Sequence, residues 1–298
     1  MPRWIFGDRG GSFVEARSGK GIALRDWHTR SKALHGEFLP AMDIFAQWPA
    51  WTWIALLAAT TLAAVAHGVI GFGFPLISTP LVALFTDVRT AILTTLLPNL
   101  VINLISIMRG SEWLATLRQF WPIAGYVLLG AIGGTRVLAY ADPRYLKLML
   151  AAMIVAYLLQ ARLRGSGWKF LKRFPRLCAL VFGLLGGFFS GSVNVAVPPL
   201  LMYFSSLELP PIVMTQALNL SFFVGRSTQA VTLVSSGQLG MALVLLSVPL
   251  SAILLVALRI GFRLQGRIEP EQFGRLVRAT LWAMAAVLGG QVALASGL

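Results

Sequence analysis

Apolar residues occur in long blocks along most of this chain, and short polar segments separate the blocks. The stretches 51–85, 179–206 and 241–258 carry no Asp, Glu, Lys or Arg. A helix needs about 20 apolar residues to cross the core of a bilayer. The ten-residue alternating segments of outer-membrane barrel strands do not occur. Because backbone polar groups must be paired within lipid, the pattern predicts an all-α polytopic membrane protein.

The apolar windows predict ten helices, several of them short. Their approximate bounds are 51–69, 75–86, 90–108, 120–140, 145–162, 177–191, 196–207, 211–235, 239–260 and 275–296.

The composition agrees with a membrane protein. Of the 298 residues, 57% are hydrophobic and 12% are charged, whereas soluble domains carry about 25% charged residues. The 25 Lys and Arg outnumber the 11 Asp and Glu, which gives a net charge of +14. The basic residues flank the apolar spans, as in the cytoplasmic loops of membrane proteins. We therefore expect a lipid bilayer as partner and no nucleic acid.

The N-terminal segment 1–41 differs from the rest because it is rich in charged residues and glycine and has no apolar stretch. It lacks the apolar h-region of a signal peptide. We expect a disordered tail, or a mis-called extension of a protein whose translation starts at Met42. The remaining chain divides into a first membrane repeat (42–162), a basic cytoplasmic loop (163–176) and a second membrane repeat (177–298).

The two membrane halves share a pattern. Gly191 and Pro198 lie 123 positions after Gly68 and Pro75. Each half thus has an apolar helix, a break rich in Gly, Pro and small residues, a short helix, and a longer helix that bears asparagine. Paired breaks at matching positions are the best sequence pointer to a transporter site. We predict two five-helix repeats, each with a Gly/Pro-broken helix.

Charge placement gives the orientation. If all ten helices cross the membrane and the N-terminus is outside, most basic residues after Met42 fall in cytoplasmic loops, as the positive-inside rule requires. Five crossings per half then make the repeats inverted. The basic residues before Met42 oppose this orientation, and a start at Met42 removes the conflict. If the upstream segment is real, one short broken helix is expected to be re-entrant instead.

Two motifs identify a family resemblance. The first is G-x-x-GFGF-P-L-x-x-x-P from Gly68 to Pro80, and the second is GFFSGSVNVAVPPLLMYF from Gly187 to Phe204. In both, the chain resembles the TauE/SafE sulfite exporter family. The second motif departs from it, because Asn194 and the two residues 196–197 stand where family members often have glycine. The resemblance implies a multi-pass transporter of sulfite, sulfonates or related small organic anions, and we expect it in a bacterial inner membrane.

An anion inside a membrane needs hydrogen-bond donors and positive charge, and broken helices supply both through unpaired N–H groups and the helix dipole. Glycine lets the backbone leave helical geometry and approach a ligand. The alternative is that these glycines only permit tight helix packing. The predicted substrate-binding residues are Gly71, Gly73, Asn99, Asn103, Asn194, Gln216, Asn219 and Arg226.

For Arg226 and for the pair of Asn99 and Asn103, a structural role is the alternative to substrate binding. His67, which is a possible coupling residue, also has two interpretations. Arg226 lies mid-way through an apolar span, where a charge costs about 2.5–3.5 kcal/mol, so it either lines the site or snorkels from a helix end. Asn99 and Asn103 share one helix face and either line the site or only join helices. His67 either carries a coupling proton or is a neutral packing residue.

The carboxylates lie near span ends or in loops, so no acidic proton relay crosses the membrane. This suits passive export, since an inside-negative potential drives one negative charge outward with about 2.3 kcal/mol per 100 mV. No HExxH, CxxC or paired intramembrane carboxylates appear, so we expect no enzyme activity, no metal and no cofactor. The alternatives are an accessory membrane protein without transport, or an anion channel. A homo-oligomer is compatible with the sequence.

Overall fold

The computed structural model describes residues 48–110, 113–160, 173–267 and 270–296. The N-terminal segment 1–41 and most of the basic loop 163–176 lie outside the described residues. The described part contains the ten predicted helices and no strand. The helices are α1 (Ala50–Ile70), α2 (Phe74–Ala83), α3 (Val88–Ile107), α4 (Trp113–Tyr140), α5 (Pro143–Gln160), α6 (Pro175–Val193), α7 (Val197–Ser206), α8 (Pro211–Ser235), α9 (Met241–Leu264) and α10 (Pro270–Ser296).

Two predicted bounds were wrong for identifiable reasons. Helix α4 begins at Trp113 rather than at 120, because helix formation tolerates the polar residue Arg118, which interrupts the apolar window. Helix α2 ends at Ala83 rather than at 86, because the next helix begins early. The Asp87 side chain accepts a hydrogen bond from the Thr90 N–H (3.0 Å) and so caps the N-terminus of α3.

Within the described ranges, five helices are long and apolar enough to cross a membrane, namely α1, α3, α4, α6 and the Leu243–Leu264 part of α9. Large apolar side chains on the protein surface, such as Ile54, Val231 and Val248, are well exposed. A soluble protein would bury such residues, whereas a bilayer solvates them. The chain is therefore a multi-pass helical membrane protein.

The two halves are intertwined. Helix α6 of the second half packs along α4 of the first, and α9 of the second half packs along α1 of the first. Glycine permits both approaches. A Cβ added to Gly187 on α6 would lie 2.0 Å from the Val127 carbonyl oxygen on α4, and one added to Gly68 would lie 2.7 Å from Gly261 Cα. Larger residues at these positions would separate the helices.

Several packing partners recur when each helix of α1–α5 is exchanged for the one at the same place in α6–α10, although the α6–α8 contact has no counterpart of similar extent between α1 and α3. The pair α1–α9 corresponds to α6–α4, the pair α4–α8 to α9–α3, and the pair α2–α10 to α7–α5. The two central helices, α3 and α8, contact each other and are each other's counterparts. This arrangement brings both helix breaks close to α3 and α8.

Candidate functional site

The first break joins α1 to α2. Gly71 and Gly73 both have positive φ angles, 93° and 97°, which side-chain-bearing residues rarely adopt. A Cβ at Gly71 would lie 2.7 Å from Thr215 Cγ2 on α8, whereas a Cβ at Gly73 would have no neighbour within 4 Å. Pro75 lies in the first turn of α2, where no N–H is needed. Gly71 is therefore a packing position, and Gly73 faces open space.

The second break joins α6 to α7 and has an asparagine at its turn. Asn194 ends α6 with a φ of 66°, a left-handed conformation that asparagine tolerates better than most residues. It lies 123 positions after Gly71 and has the same place in its half. Pro198 lies in the first turn of α7. The departure from glycine at this position thus keeps the backbone turn and adds a side chain.

Each break is bonded to the long asparagine-bearing helix of the other half. The Asn219 side-chain amide on α8 donates to the Gly71 carbonyl oxygen (2.8 Å). In the other direction, Asn99 Nδ2 on α3 donates to Asn194 Oδ1 (3.3 Å). Asn219 lies 120 positions after Asn99, close to the offset of 123 between the breaks, so the two bonds occupy similar places in the two halves.

A chain of fully buried polar side chains surrounds the second break. Asn103 Nδ2 donates to Asn99 Oδ1 (3.0 Å), which confirms that these two asparagines share a helix face. Asn194 Nδ2 in turn donates to Thr79 Oγ1 on α2 (2.7 Å) and is 3.5 Å from Thr95 Oγ1 on α3. The asparagines therefore join helices, and they do so at the break itself. Asn103 Oδ1 has no hydrogen-bond partner within the described residues.

His67 is held as a neutral side chain. The Phe74 N–H, at the start of α2, donates to His67 Nδ1 (3.2 Å), so Nδ1 is an acceptor and carries no proton. The proton of the neutral ring then lies on Nε2, which is 2.9 Å from Ser106 Oγ. His67 thereby pairs an N–H at the helix start that the break leaves free. This geometry favours the packing interpretation over a coupling proton.

Arg226 is 1% exposed and does not reach a helix end. Its Nη1 donates to Gln229 Oε1 (2.6 Å), and Gln229 Nε2 donates to the Gly191 carbonyl oxygen near the end of α6 (2.7 Å). Arg226 Nε is buried and has no hydrogen-bond partner in the described structure. No carboxylate among the described residues pairs with the guanidinium. The sequence thus placed a charge in the span, and the fold brings it beside the second break.

Gln216 has a different environment from the other predicted residues. Its Oε1 accepts a hydrogen bond from Thr116 Oγ1 on α4 (2.9 Å). Its Nε2 donates to the carbonyl oxygens of Ile107 (3.3 Å) and Arg109 (2.8 Å) at the C-terminal end of α3. These bonds satisfy the last carbonyls of α3, which have no partner within the helix. Gln216 bonds to neither break.

Several buried backbone donors at the breaks have no acceptor. The N–H groups of Gly73, Val195 and Ala196 make no hydrogen bond to any described residue. A buried backbone N–H without a partner is rare, because it costs free energy comparable to a lost hydrogen bond. N–H groups of this kind, like Arg226 Nε, are the type of donor that binds an anion.

Three site residues were not predicted, namely Thr79, Thr95 and Ser106. Two of them carry a signal in the sequence. Thr95, Asn99, Asn103 and Ser106 recur at helical spacing and form one polar face on α3. Thr79 has no such signal, since only the packing of α2 against the second break brings it to Asn194.

Two cavities among the described residues are apolar. One, of about 170 Å³, lies between α1, α3 and α9 and is lined mainly by leucines such as Leu56 and Leu250. The other, of about 60 Å³, lies between α1, α2 and α10. Neither is lined by the predicted site residues, which pack against one another. The described residues hold no cluster of His, Cys, Asp and Glu that could bind a metal ion.

Comparison with known proteins gives one match. The family model described as "Sulfite exporter TauE/SafE" matches residues 56–288, which include both breaks and every predicted site residue. No curated protein and no solved structure matches the chain.

Proposed function

The chain belongs to the TauE/SafE sulfite exporter family, and from this premise we propose that it exports sulfite, a sulfonate or a related small organic anion across a bacterial inner membrane. The substrate binds between the two helix breaks, against the faces of α3 and α8 that bear Asn99, Asn103, Asn219 and Arg226.

The observation that carries this proposal is the buried guanidinium of Arg226, which has no counter-ion among the described residues. Removing a charge from water costs several kcal/mol, which the protein recovers only if an opposite charge and further hydrogen bonds compensate. The amide of Gln229 supplies one hydrogen bond and no charge. An anionic substrate supplies the missing charge, and the free N–H groups of Gly73, Val195 and Ala196 supply further donors to its oxygens.

The architecture we propose is a pair of inverted repeats, 42–162 and 177–298, related by an axis in the membrane plane. The recurrence of packing partners between the two halves supports it, as does the pair of counterpart bonds from Asn99 and Asn219. In such transporters the site lies at the repeat interface, near the bilayer midplane, where discontinuous helices meet. In this architecture the contact of α3 with α8 serves as that interface.

Export follows from the charges. The described buried side chains include no carboxylate, and Nδ1 of His67 accepts a hydrogen bond, as it does in the neutral ring, which supports transport without a coupled proton. Without a coupling ion, the membrane potential sets the direction. An inside-negative potential favours outward movement of an anion by about 2.3 kcal/mol per charge per 100 mV.

A channel and an accessory protein are the other functions that the sequence leaves open. The polar side chains at the breaks bond one another within the described part of the chain. This closed packing favours a carrier, which exposes its site to one side at a time, over an open pore.

The test is efflux from proteoliposomes that contain labelled sulfite, with an imposed inside-negative potential. We expect saturable efflux that increases with the potential. Arg226→Met, which has similar length and no charge, should lose it, because truncating one partner of a buried charge pair costs about 2–5 kcal/mol. Arg259→Met on the exposed face of α9 is the matched control and should retain efflux. Equal efflux from liposomes without protein would refute transport of sulfite.

A further inference from the structure

The buried part of the described chain contains a single charged side chain. Among its buried polar residues, all others are neutral amides, hydroxyls or the neutral ring of His67, and Arg226 alone carries a charge. The net charge of the site is therefore one positive unit, which an incoming substrate has to balance.

Gln229 bonds to the guanidinium of Arg226 without neutralising its charge, because the amide of Gln229 is uncharged. Its amide oxygen accepts from Arg226 Nη1, while its amide nitrogen donates to the Gly191 carbonyl oxygen on α6. A glutamate of the same size could accept the first bond, but it would form an internal ion pair. The amide instead fixes the guanidinium against α6 and leaves Nε without a partner. Gln229 is thus a positioning residue for Arg226.

The charge of the substrate then determines how well the positive charge of Arg226 is compensated. A substrate with one negative charge gives a neutral pair with Arg226. A dianion leaves one net negative charge in a closed, water-poor site, and the neutral amides and N–H dipoles offset only part of its desolvation. A neutral molecule leaves the guanidinium uncompensated. Electrostatic energies in such an environment are several times larger than in water.

We propose that this protein selects its substrate by charge, accepting singly charged tetrahedral or pyramidal sulfur oxyanions and monosulfonates, and discriminating against dianions. For sulfite, the transported form is hydrogen sulfite. This inference rests on the proposed function, since it specifies which anions the site between the breaks accepts.

The test compares three molecules of similar size and tetrahedral shape that differ in charge. They are methanesulfonate with one negative charge, sulfate with two, and dimethyl sulfone with none. Their binding to the purified full-length protein is measured by isothermal titration calorimetry in one buffer at constant ionic strength, which keeps charge screening equal. We expect methanesulfonate to bind about 100-fold more tightly than sulfate, as an uncompensated buried charge implies. Dimethyl sulfone should not bind measurably.

The outcomes separate this inference from the function on which it rests. If sulfate binds as tightly as methanesulfonate, or more tightly, selection by charge is refuted, while anion binding stands. If dimethyl sulfone binds as well as methanesulfonate, or if none of the three binds and labelled sulfite efflux is also absent, both proposals are overturned. If none binds but sulfite efflux occurs, the proposed function survives and the monosulfonate class is wrong.

Discussion

The side-chain amide of Asn219 donates to the carbonyl oxygen of Gly71 over 2.8 Å and joins the first helix break to the second half of the chain. The carbonyl is a group that the end of α1 leaves without a partner within the helix. Its bond ties the break to α8, the helix that also carries Arg226. The counterpart bond, from Asn99 to Asn194, ties the second break to α3.

Loss of either cross-half bond should destabilise the protein. Asn219→Ala leaves the buried Gly71 carbonyl unpaired, which costs about 1–3 kcal/mol. Asn99→Ala should have an effect of similar size, because it removes a partner of both Asn103 and Asn194. The loss of stability in each variant is measured by thermal unfolding of the detergent-solubilised protein.

Ser235→Ala is the control, since Ser235 lies at the exposed end of α8 and bonds only its own helix backbone in the described structure. Its unfolding temperature should equal that of the wild type. Equal unfolding temperatures for all three variants would show that the cross-half bonds contribute nothing to stability.

The two glycines of the first break should respond differently to alanine. Both have positive φ, so either substitution costs roughly 1–2 kcal/mol in backbone strain. Gly71→Ala should cost more than Gly73→Ala, because its Cβ meets Thr215 Cγ2 at 2.7 Å. Thermal unfolding compares the two variants.

The double variant Gly71→Ala/Thr215→Ser provides the check on this explanation. Serine lacks the Cγ2 methyl group, so the double variant should recover part of the stability that Gly71→Ala loses, whereas Thr215→Ser alone should not gain any. Absence of recovery would mean that the strain at Gly71 comes from the backbone alone.

The sequence was sufficient to predict most of the fold for a simple physical reason. Apolar length fixes where helices cross a bilayer, and proline and glycine mark where they break. It also indicated the shared face of Asn99 and Asn103, because helical spacing determines which side chains lie together. The predicted start of α4 was wrong, because the apolar window on which the prediction rests is shorter than the helix.

The partners of the site residues could not be predicted in the same way. Periodicity shows which face of a helix is polar, but not which helix packs there. Gln216 and Asn219 lie three positions apart on α8, and yet one bonds the end of α3 and the other bonds the first break. The bonds from His67 to Ser106 and from Asn194 to Thr79 likewise depend on tertiary packing.

Gln229→Glu should abolish anion binding without unfolding the protein. The new carboxylate would stand where Gln229 Oε1 now lies, 2.6 Å from Arg226 Nη1, and would act as an internal counter-ion. An anion would then gain nothing from the guanidinium. The ion pair offsets the lost bond from Gln229 Nε2 to the Gly191 carbonyl oxygen, so we expect a folded protein that methanesulfonate does not stabilise.

Gln229→Met is the matched control, because it removes the hydrogen bond and leaves the charge. It should weaken methanesulfonate binding without eliminating it. If Gln229→Glu binds methanesulfonate as well as Gln229→Met does, the charge of Arg226 is not what the anion recognises.

The most direct test of the central claim is the thermal stability of wild type and Arg226→Met, each with and without sulfite. A ligand at 100 times its Kd stabilises the folded state by about 2.7 kcal/mol. We predict that sulfite stabilises the wild type and has no effect on the variant. Without sulfite, the variant should be at least as stable as the wild type, because it no longer buries an uncompensated charge. A variant that is less stable without sulfite, yet stabilised by sulfite as much as the wild type, would contradict the account and make Arg226 a structural residue.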